Sequence, residues 1–364
     1  MNYLLLASPY PVIRTLLQSE VGPVTVKTAA RKKQDNAQFS CPQCGRDLSR
    51  AKAGSGSEEL TCSKGHRFPV IGGVPRFVDS EAYAESFGIE WKRFPRTQLD
   101  SYNGTKVSYT RFKQLTGIDP ADLRGKRVLD VGCGSGRFLE LVARSGAEAY
   151  GADLSAAVDV SSENLRQYAD CSIVQADLFK LPFAKDHFDF IYSIGVLHHT
   201  PDPEAAFRGL VKHLKPGGRI SIWVYGLGVS SGIRARWIPR PSHVFGPMFR
   251  LLPLPARIKA LEGFARFALV AGSIPVAGRF LKHIFWIDDL RRTASQNGGW
   301  DEADPGLREK VRLEWARLSA FDAYNTTHVA QTPHDEVVGW ARRAGLVDIV
   351  KSQIPSAITA TKPA

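Results

Sequence analysis

The stretch RVLDVGCGSGRFLELVARSG, residues 127–146, decides the fold. It opens as a short strand, RVLDV, turns through Gly132, Gly134 and Gly136, and continues as a helical stretch. At a strand-to-helix junction such glycines let the backbone approach a ligand closely, and the helix amino terminus favours an anionic group. Asp153 ends the next strand pattern about twenty residues on, where an acid that binds a ribose diol belongs. The spacing is GxGxG rather than GxGxxG, which suits an adenosyl ligand without a pyrophosphate.

Outward from this stretch, strands and helices alternate. EAYGAD is followed by AAVDVSSENLRQYA, then CSIVQAD, FDFIYSIG, PEAAFRGLVKHL and GGRISIWVY, which ends at Tyr225. Such alternation predicts an α/β fold, a parallel sheet with helices on both faces. After Tyr225 the rhythm breaks into a helix-forming segment rich in Arg and Pro. Strand pattern resumes only with VDIVKS and SAITAT, behind a helix at 333–345. The expected organisation is therefore a flexible lead (1–37), a Cys/Gly/Pro-rich module (38–80), a connector or lid (81–126), an α/β core (127–225), a helical basic cap (226–320) and the end of the core (321–364).

Composition bounds the rest. With 364 residues, 43% apolar and 23% charged, the chain is neither fibrous nor wholly disordered. The net charge of +12 calls for an anionic partner: nucleic acid, a membrane surface or an acidic substrate. Eleven of the basic residues and only three acids fall between 226 and 292, interleaved with apolar residues at helical spacing. That segment is expected to cover the acceptor side of the site and to allow peripheral membrane contact. Five unevenly spread cysteines do not form a disulfide framework, so a reducing cytoplasmic location is expected. The amino terminus lacks a basic region before its apolar run, and Phe267 to Gly278 is too short for a bilayer.

Cys41-Pro-Gln-Cys44-Gly is followed by Cys62-Ser-Lys-Gly-His66. A C-x2-C knuckle gives Zn²⁺ two thiolates from one turn, and C-x3-H offers a thiolate and an imidazole. Four protein ligands make a closed, structural site, whose metal would supply folding free energy to a module this small. A CxxC redox pair is the competing reading. GHRFPVIGGVPRFV reads as a hairpin turning at Gly72-Gly73.

These motifs resemble the class I S-adenosylmethionine-dependent methyltransferases, over residues 127–225 and 333–361. The resemblance implies a Rossmann-like seven-stranded methyltransferase sheet, here carrying the small zinc module and the helical insertion. It places Asp130 near the methionine amino group and Gly132, Gly134 and Gly136 along the ligand. Asp153 in GADLS would bind the ribose hydroxyls, with Leu154 beside it. In QADLFKLPF, Asp177 would accept from the adenine amino group while Leu178 packs the ring. FDFIYSIGVLHHTPDP matches the fourth strand and its loop, from Ser193 to His199, in the form found in many small-molecule methyltransferases. The cysteine module also resembles that of zinc-containing guanine methyltransferases of ribosomal RNA, from which the HHTPDP loop and the insertion depart.

A sulfonium methyl is already electrophilic, so such an enzyme chiefly supplies proximity and orientation, adding a base only if the acceptor must lose a proton. His198, His199, Tyr225 and His328 are the candidates, with Tyr324 near the last. The competing role for His199, with Thr200-Pro201, is to cap the next helix. Gln98 and Tyr102 are expected to form a lid, and Arg93 and Arg96 to meet an anionic group or solvent. The expected function is methyl transfer to a small-molecule, lipid-linked or glycan-linked acceptor, anionic ones included. An RNA methyltransferase and a non-catalytic binding subunit are the alternatives.

Overall fold

The computed structural model describes residues 39–52, 57–78, 85–226, 241–274, 290–297, 300, 305–325, 332–352 and 354–364. The expected lead, 1–37, and His328 lie outside the described residues.

The core is one seven-stranded sheet. Its strands are β5 (Arg127–Val131), β6 (Glu148–Asp153), β7 (Cys171–Gln175), β8 (Phe188–Ile194), β9 (Leu214–Trp223), β10 (Val347–Lys351) and β11 (Ala357–Thr361). They lie in the order β10-β11-β9-β8-β5-β6-β7. β5 to β9 are parallel, and β11 runs antiparallel to both its neighbours. The inner strands read as continuous apolar runs because helices cover both faces. Val128, Leu129, Phe190, Ile191 and Val174 are all buried accordingly. Helices α4 (Leu139–Arg144), α5 (Ala157–Asn164), α6 (Pro203–Val211) and α11 (His334–Arg343) accompany the sheet.

From β5 the chain steps outward through β6 and β7, then returns to place β8 on β5's other side. This reversal opens a crevice at the carboxyl ends of β5 and β8, where doubly wound sheets bind ligands. The glycine loop, the Ser193–His199 loop and Tyr225 all sit at that end.

The connector folds as α1 (Glu85–Arg93), α2 (Asp100–Asn103) and α3 (Val107–Thr116). Asp100 fixes the start of α3 by accepting the backbone N–H groups of Ser108 and Tyr109 at 2.9 and 2.8 Å. The insertion contains α7 (Pro241–Arg250), α8 (Leu254–Gly272), α9 (Leu290–Asn297) and α10 (Pro305–Asn325). The expected boundary at 320 falls inside α10. That helix continues because Ala316, Ala320 and Tyr324 form one buried stripe at a spacing of four.

The cysteine module is a meander of β1 (Leu48–Lys52), β2 (Glu58–Cys62), β3 (Arg67–Ile71) and β4 (Val74–Pro75). Gly72 and Gly73 turn the last hairpin at φ +61° and +79°, the left-handed pair that a two-residue loop requires. The module is not a free lobe. Arg76 bridges Gln175 on β7, and the Phe77 N–H donates to Gln175 O at 2.8 Å. Phe39 packs against Phe77 and Phe183 at 6.1 and 5.9 Å, joining the module's core to that of the sheet. The open edge of β7 is thereby covered. Among the described residues no helix is long and apolar enough to cross a membrane.

Candidate functional site

Gly132, Gly134 and Gly136 all have positive φ, at +80°, +52° and +89°. Each also lacks room for a side chain. A Cβ on Gly132 would lie 2.3 Å from Val196, and one on Gly134 would lie 2.9 Å from the Trp91 indole nitrogen. Backbone conformation and close approach thus both demand glycine here. Trp91, on α1, is the side chain that lies over the loop.

Two carboxyl groups frame the loop. Asp153, half-buried at the end of β6, accepts from the Gly134 N–H through Oδ2 at 2.9 Å. Its Oδ1 accepts from the Ser155 N–H and hydroxyl at 2.8 and 2.7 Å. Burial raises its pKa against the pull of these donors. Oδ1 thus has both its acceptor positions filled, while Oδ2 keeps a further one for a ligand hydroxyl. Asp130 is deeply buried, accepts from the Tyr192 hydroxyl at 3.0 Å, and is pushed up to about 8, first by burial and then by the charge of Asp153. Such a buried acid suits a cationic ligand group, whose arrival favours the ionised form.

Other expected positions are placed less directly. Leu154 and Leu178 are half-buried beside the crevice. Asp177 accepts from the Phe179 N–H at 2.9 Å, capping a short 3-10 turn. Ser193 is fully buried and donates to Val131 O at 2.9 Å, tying β8 to β5. Cys133 and Cys171 are buried in the core.

His198 stacks on Tyr225, with ring centroids 4.0 Å apart, and its Nδ1 accepts from the Tyr225 N–H at 3.4 Å. Its proton therefore sits on Nε2, a buried atom without a partner. Burial, then the neighbouring His199, pushes His198 down to about 2. The geometry makes it a neutral hydrogen-bond donor rather than a base. His199 is half-buried, and Asp202, not His199, caps α6 by accepting from the Ala205 N–H at 2.9 Å.

Near Tyr225 lie two acids that the sequence reading did not single out. Asp322 on α10 is the strongest influence raising the Tyr225 phenol, followed by burial and by Glu90 on α1. Glu90 is buried, and burial and Asp322 push its pKa well up. Asp322 is exposed, yet desolvation raises it to about 6. The rings of Phe94, the residue after α1, and Phe321 of α10 lie 6.4 Å apart and bring the two helices together. The Arg111 guanidinium lies over Trp223 at 4.8 Å, and Arg137 donates to Ser108 Oγ at 2.9 Å. No local motif announces Glu90 and Asp322, because each is an ordinary acid on a helix.

Several connector expectations change. Tyr102 donates to Glu314 at 3.2 Å and so ties the connector to the cap. Arg93 binds Glu262 at 3.0 and 2.5 Å, and Arg96 binds Asn164 at 3.2 Å, so both guanidinium groups are engaged in structure. The Gln98 carbonyl accepts from Ser108, and Tyr324 is fully buried against Phe249 and Phe264.

Cys41, Cys44, Cys62 and His66 converge, with all four ligand atoms within 4.8 Å of one another. Cys44 and Cys62 Sγ are 3.7 Å apart, and His66 Nδ1 is 3.3 and 3.4 Å from Cys41 and Cys62 Sγ. Thiolates on a tetrahedral Zn²⁺ at about 2.3 Å would be about 3.8 Å apart. The set fits that ion.

A family model described as a methyltransferase domain matches residues 129–222. The chain is 30% identical over 169 residues to a protein of Rhizobium etli named ubiquinone biosynthesis O-methyltransferase, covering 42% of this chain and 67% of that protein. A Brucella ovis protein of the same name is 29% identical over 167 residues, with the same coverage. Among solved structures, an S-adenosylmethionine-dependent methyltransferase from Mesorhizobium loti is 33% identical, covering 28% of this chain and 47% of that one, with a TM-score of 0.26.

Proposed function

The chain belongs to the class I S-adenosylmethionine-dependent methyltransferases, and on that premise we propose that it methylates a hydroxyl group on a small or lipid-linked acceptor. The observation that supports this reading is that Asp322 on α10 and Glu90 on α1, two helices that pack together, both act electrostatically on Tyr225 just beyond β9. When bound, S-adenosylmethionine supplies the electrophilic methyl group. The chain's own work is to orient the acceptor, exclude water and receive its proton. Asp322 is assigned to receive the proton, because burial of its carboxyl raises it to about 6, within reach of neutral pH. Glu90 is the second acid of the pair, its pKa pushed well up by burial and by the charge of Asp322. The curated relatives, named as O-methyltransferases acting in the biosynthesis of a lipid quinone, support a hydroxyl acceptor of this kind.

The test uses methyl-tritiated S-adenosylmethionine with a total lipid extract or with total RNA. Label is expected in the organic phase as methyl ether. Label in RNA alone would overturn the reading.

We also propose that Cys41, Cys44, Cys62 and His66 hold a structural Zn²⁺ that cross-links the two halves of the module. One equivalent of zinc by native mass spectrometry, lost in Cys44→Ser, is the expected result; metal-free protein with an unchanged melting curve would refute it.

A further inference from the structure

We propose that Arg76, in the cysteine module, is a positioning residue for the cofactor site, acting through Gln175 on the carboxylate of Asp153, a role that rests on Asp153 being the ligand of the ribose hydroxyls. The module then takes part in cofactor binding without touching the cofactor.

Arg76 directly follows β4 and is 8% exposed. Its backbone is held on two sides: the N–H donates to Pro69 O at 2.9 Å, and the residue bridges Gln175 at the end of β7. One terminal guanidinium nitrogen donates to Gln175 Oε1 at 3.1 Å. The other pairs with Asp159 in the first turn of α5. Gln175 is buried as well, and its Nε2 donates to Leu154 O at 2.9 Å. Arginine only donates and a carbonyl oxygen only accepts. The amide of Gln175 can therefore sit only one way round, oxygen toward Arg76 and nitrogen toward Leu154.

The Leu154 carbonyl and the Ser155 N–H are opposite edges of one planar peptide unit. That N–H donates to Asp153 Oδ1 at 2.8 Å. A hydrogen bond on the carbonyl edge thus fixes the direction of the donor on the other edge, and with it the carboxylate. The contacts run without a gap from Arg76 through Gln175 and the Leu154–Ser155 peptide to Asp153, each donor polarising the next. The pair with Asp159 holds the far side of the same turn, so Arg76 grips residues 154–159 at both ends. Docking of the module is already served by the Phe77 N–H on Gln175 O and by the ring contacts of Phe39. The side-chain relay adds orientation of the ribose-binding acid.

The test is calorimetry of S-adenosylhomocysteine binding to the full chain, repeated with an analogue lacking both ribose hydroxyls. Gln175→Glu keeps an acceptor for Arg76 but turns an oxygen toward Leu154 O. It should weaken binding of S-adenosylhomocysteine about three- to tenfold, the value of one hydrogen bond, and leave binding of the analogue unchanged. Arg76→Lys keeps a charge for Asp159 but loses the fork that serves two partners. It should weaken binding by a similar factor and add little when combined with Gln175→Glu, because both break one relay. A single cooperative melting transition checks the fold; if Gln175→Glu fails it, Arg76→Lys decides alone. Wild-type affinity in Asp153→Ala would overturn the ribose reading and the proposal with it. Weakened binding in Asp153→Ala beside wild-type affinity in the folded relay variants would overturn the relay alone. So would an equal loss for both ligands, which would make Arg76 a docking residue only.

Discussion

The two ends of the ligand crevice are built differently. At the cofactor end the glycine loop and Asp153 lie in one short span and are fixed by local geometry: positive φ at three glycines, and hydrogen bonds from Gly134 and Ser155 to one carboxylate. The carboxyls proposed for the acceptor end, Glu90 and Asp322, come from helices far apart in the chain, α1 and α10, which meet only through tertiary packing. A site fixed by local backbone should tolerate changes in the cap. One assembled by packing should be open to retuning by helices that do not touch the cofactor.

The largest expected effect breaks the acceptor end alone. Asp322→Asn should lower kcat by roughly 10²–10⁴-fold, the usual range for losing a positioned base. Affinity for S-adenosylmethionine, measured by calorimetry, should stay unchanged. In the wild type kcat should rise with pH through about 6 as the carboxyl ionises, and this rise should vanish in the variant. A variant that keeps the rise would place the base elsewhere.

The reciprocal change breaks the cofactor end. Asp153→Ala removes a charge-assisted acceptor, worth roughly 1.5–3 kcal/mol, so S-adenosylmethionine should bind about 10–100-fold more weakly. At saturating ligand kcat should fall little. Loss of kcat without loss of affinity would show that the two ends are not separable.

The same contrast explains what the sequence revealed. The glycine loop, Asp153 and the cysteine knuckle were legible because each is a local device with a spacing set by covalent geometry. The parallel sheet was legible from strands buried on both faces. The fate of Arg93 and Arg96 was not, since their partners Glu262 and Asn164 lie in other segments. Trp91 was also hidden: an aromatic on an amphipathic helix reads as core until the fold shows it above Gly134. Docking of the module on β7 rests on Arg76 and Phe77, which carry no motif.

A smaller effect sharpens the role of Asp130. With its carboxyl pushed up to about 8, the ligand-free protein holds a proton there at neutral pH. A cationic ammonium favours the carboxylate, so binding must expel that proton. Affinity should therefore rise close to tenfold per pH unit below about 7.7, where an α-amino group itself begins to titrate. Calorimetry in buffers of different ionisation enthalpy should detect close to one proton released at pH 7. Asp130→Asn should bind more weakly, with no such slope.

The smallest effect belongs to His198, and it separates a donor from a base. Its Nδ1 is occupied by the Tyr225 N–H, its Nε2 carries the proton, and its pKa sits at about 2. It cannot gain a proton between pH 5 and 9, so it cannot shape a pH profile in that range. His198→Gln places an amide donor near the same position and leaves the ring stack with Tyr225 as the main loss. The expected drop in kcat is about tenfold or less, the value of one hydrogen bond of roughly 0.5–1.5 kcal/mol, with the pH profile unchanged. A fall of a thousandfold, with loss of the rise through about 6, would move the proton-accepting role from the cap to the β8 loop. The acceptor end would then be as local as the cofactor end.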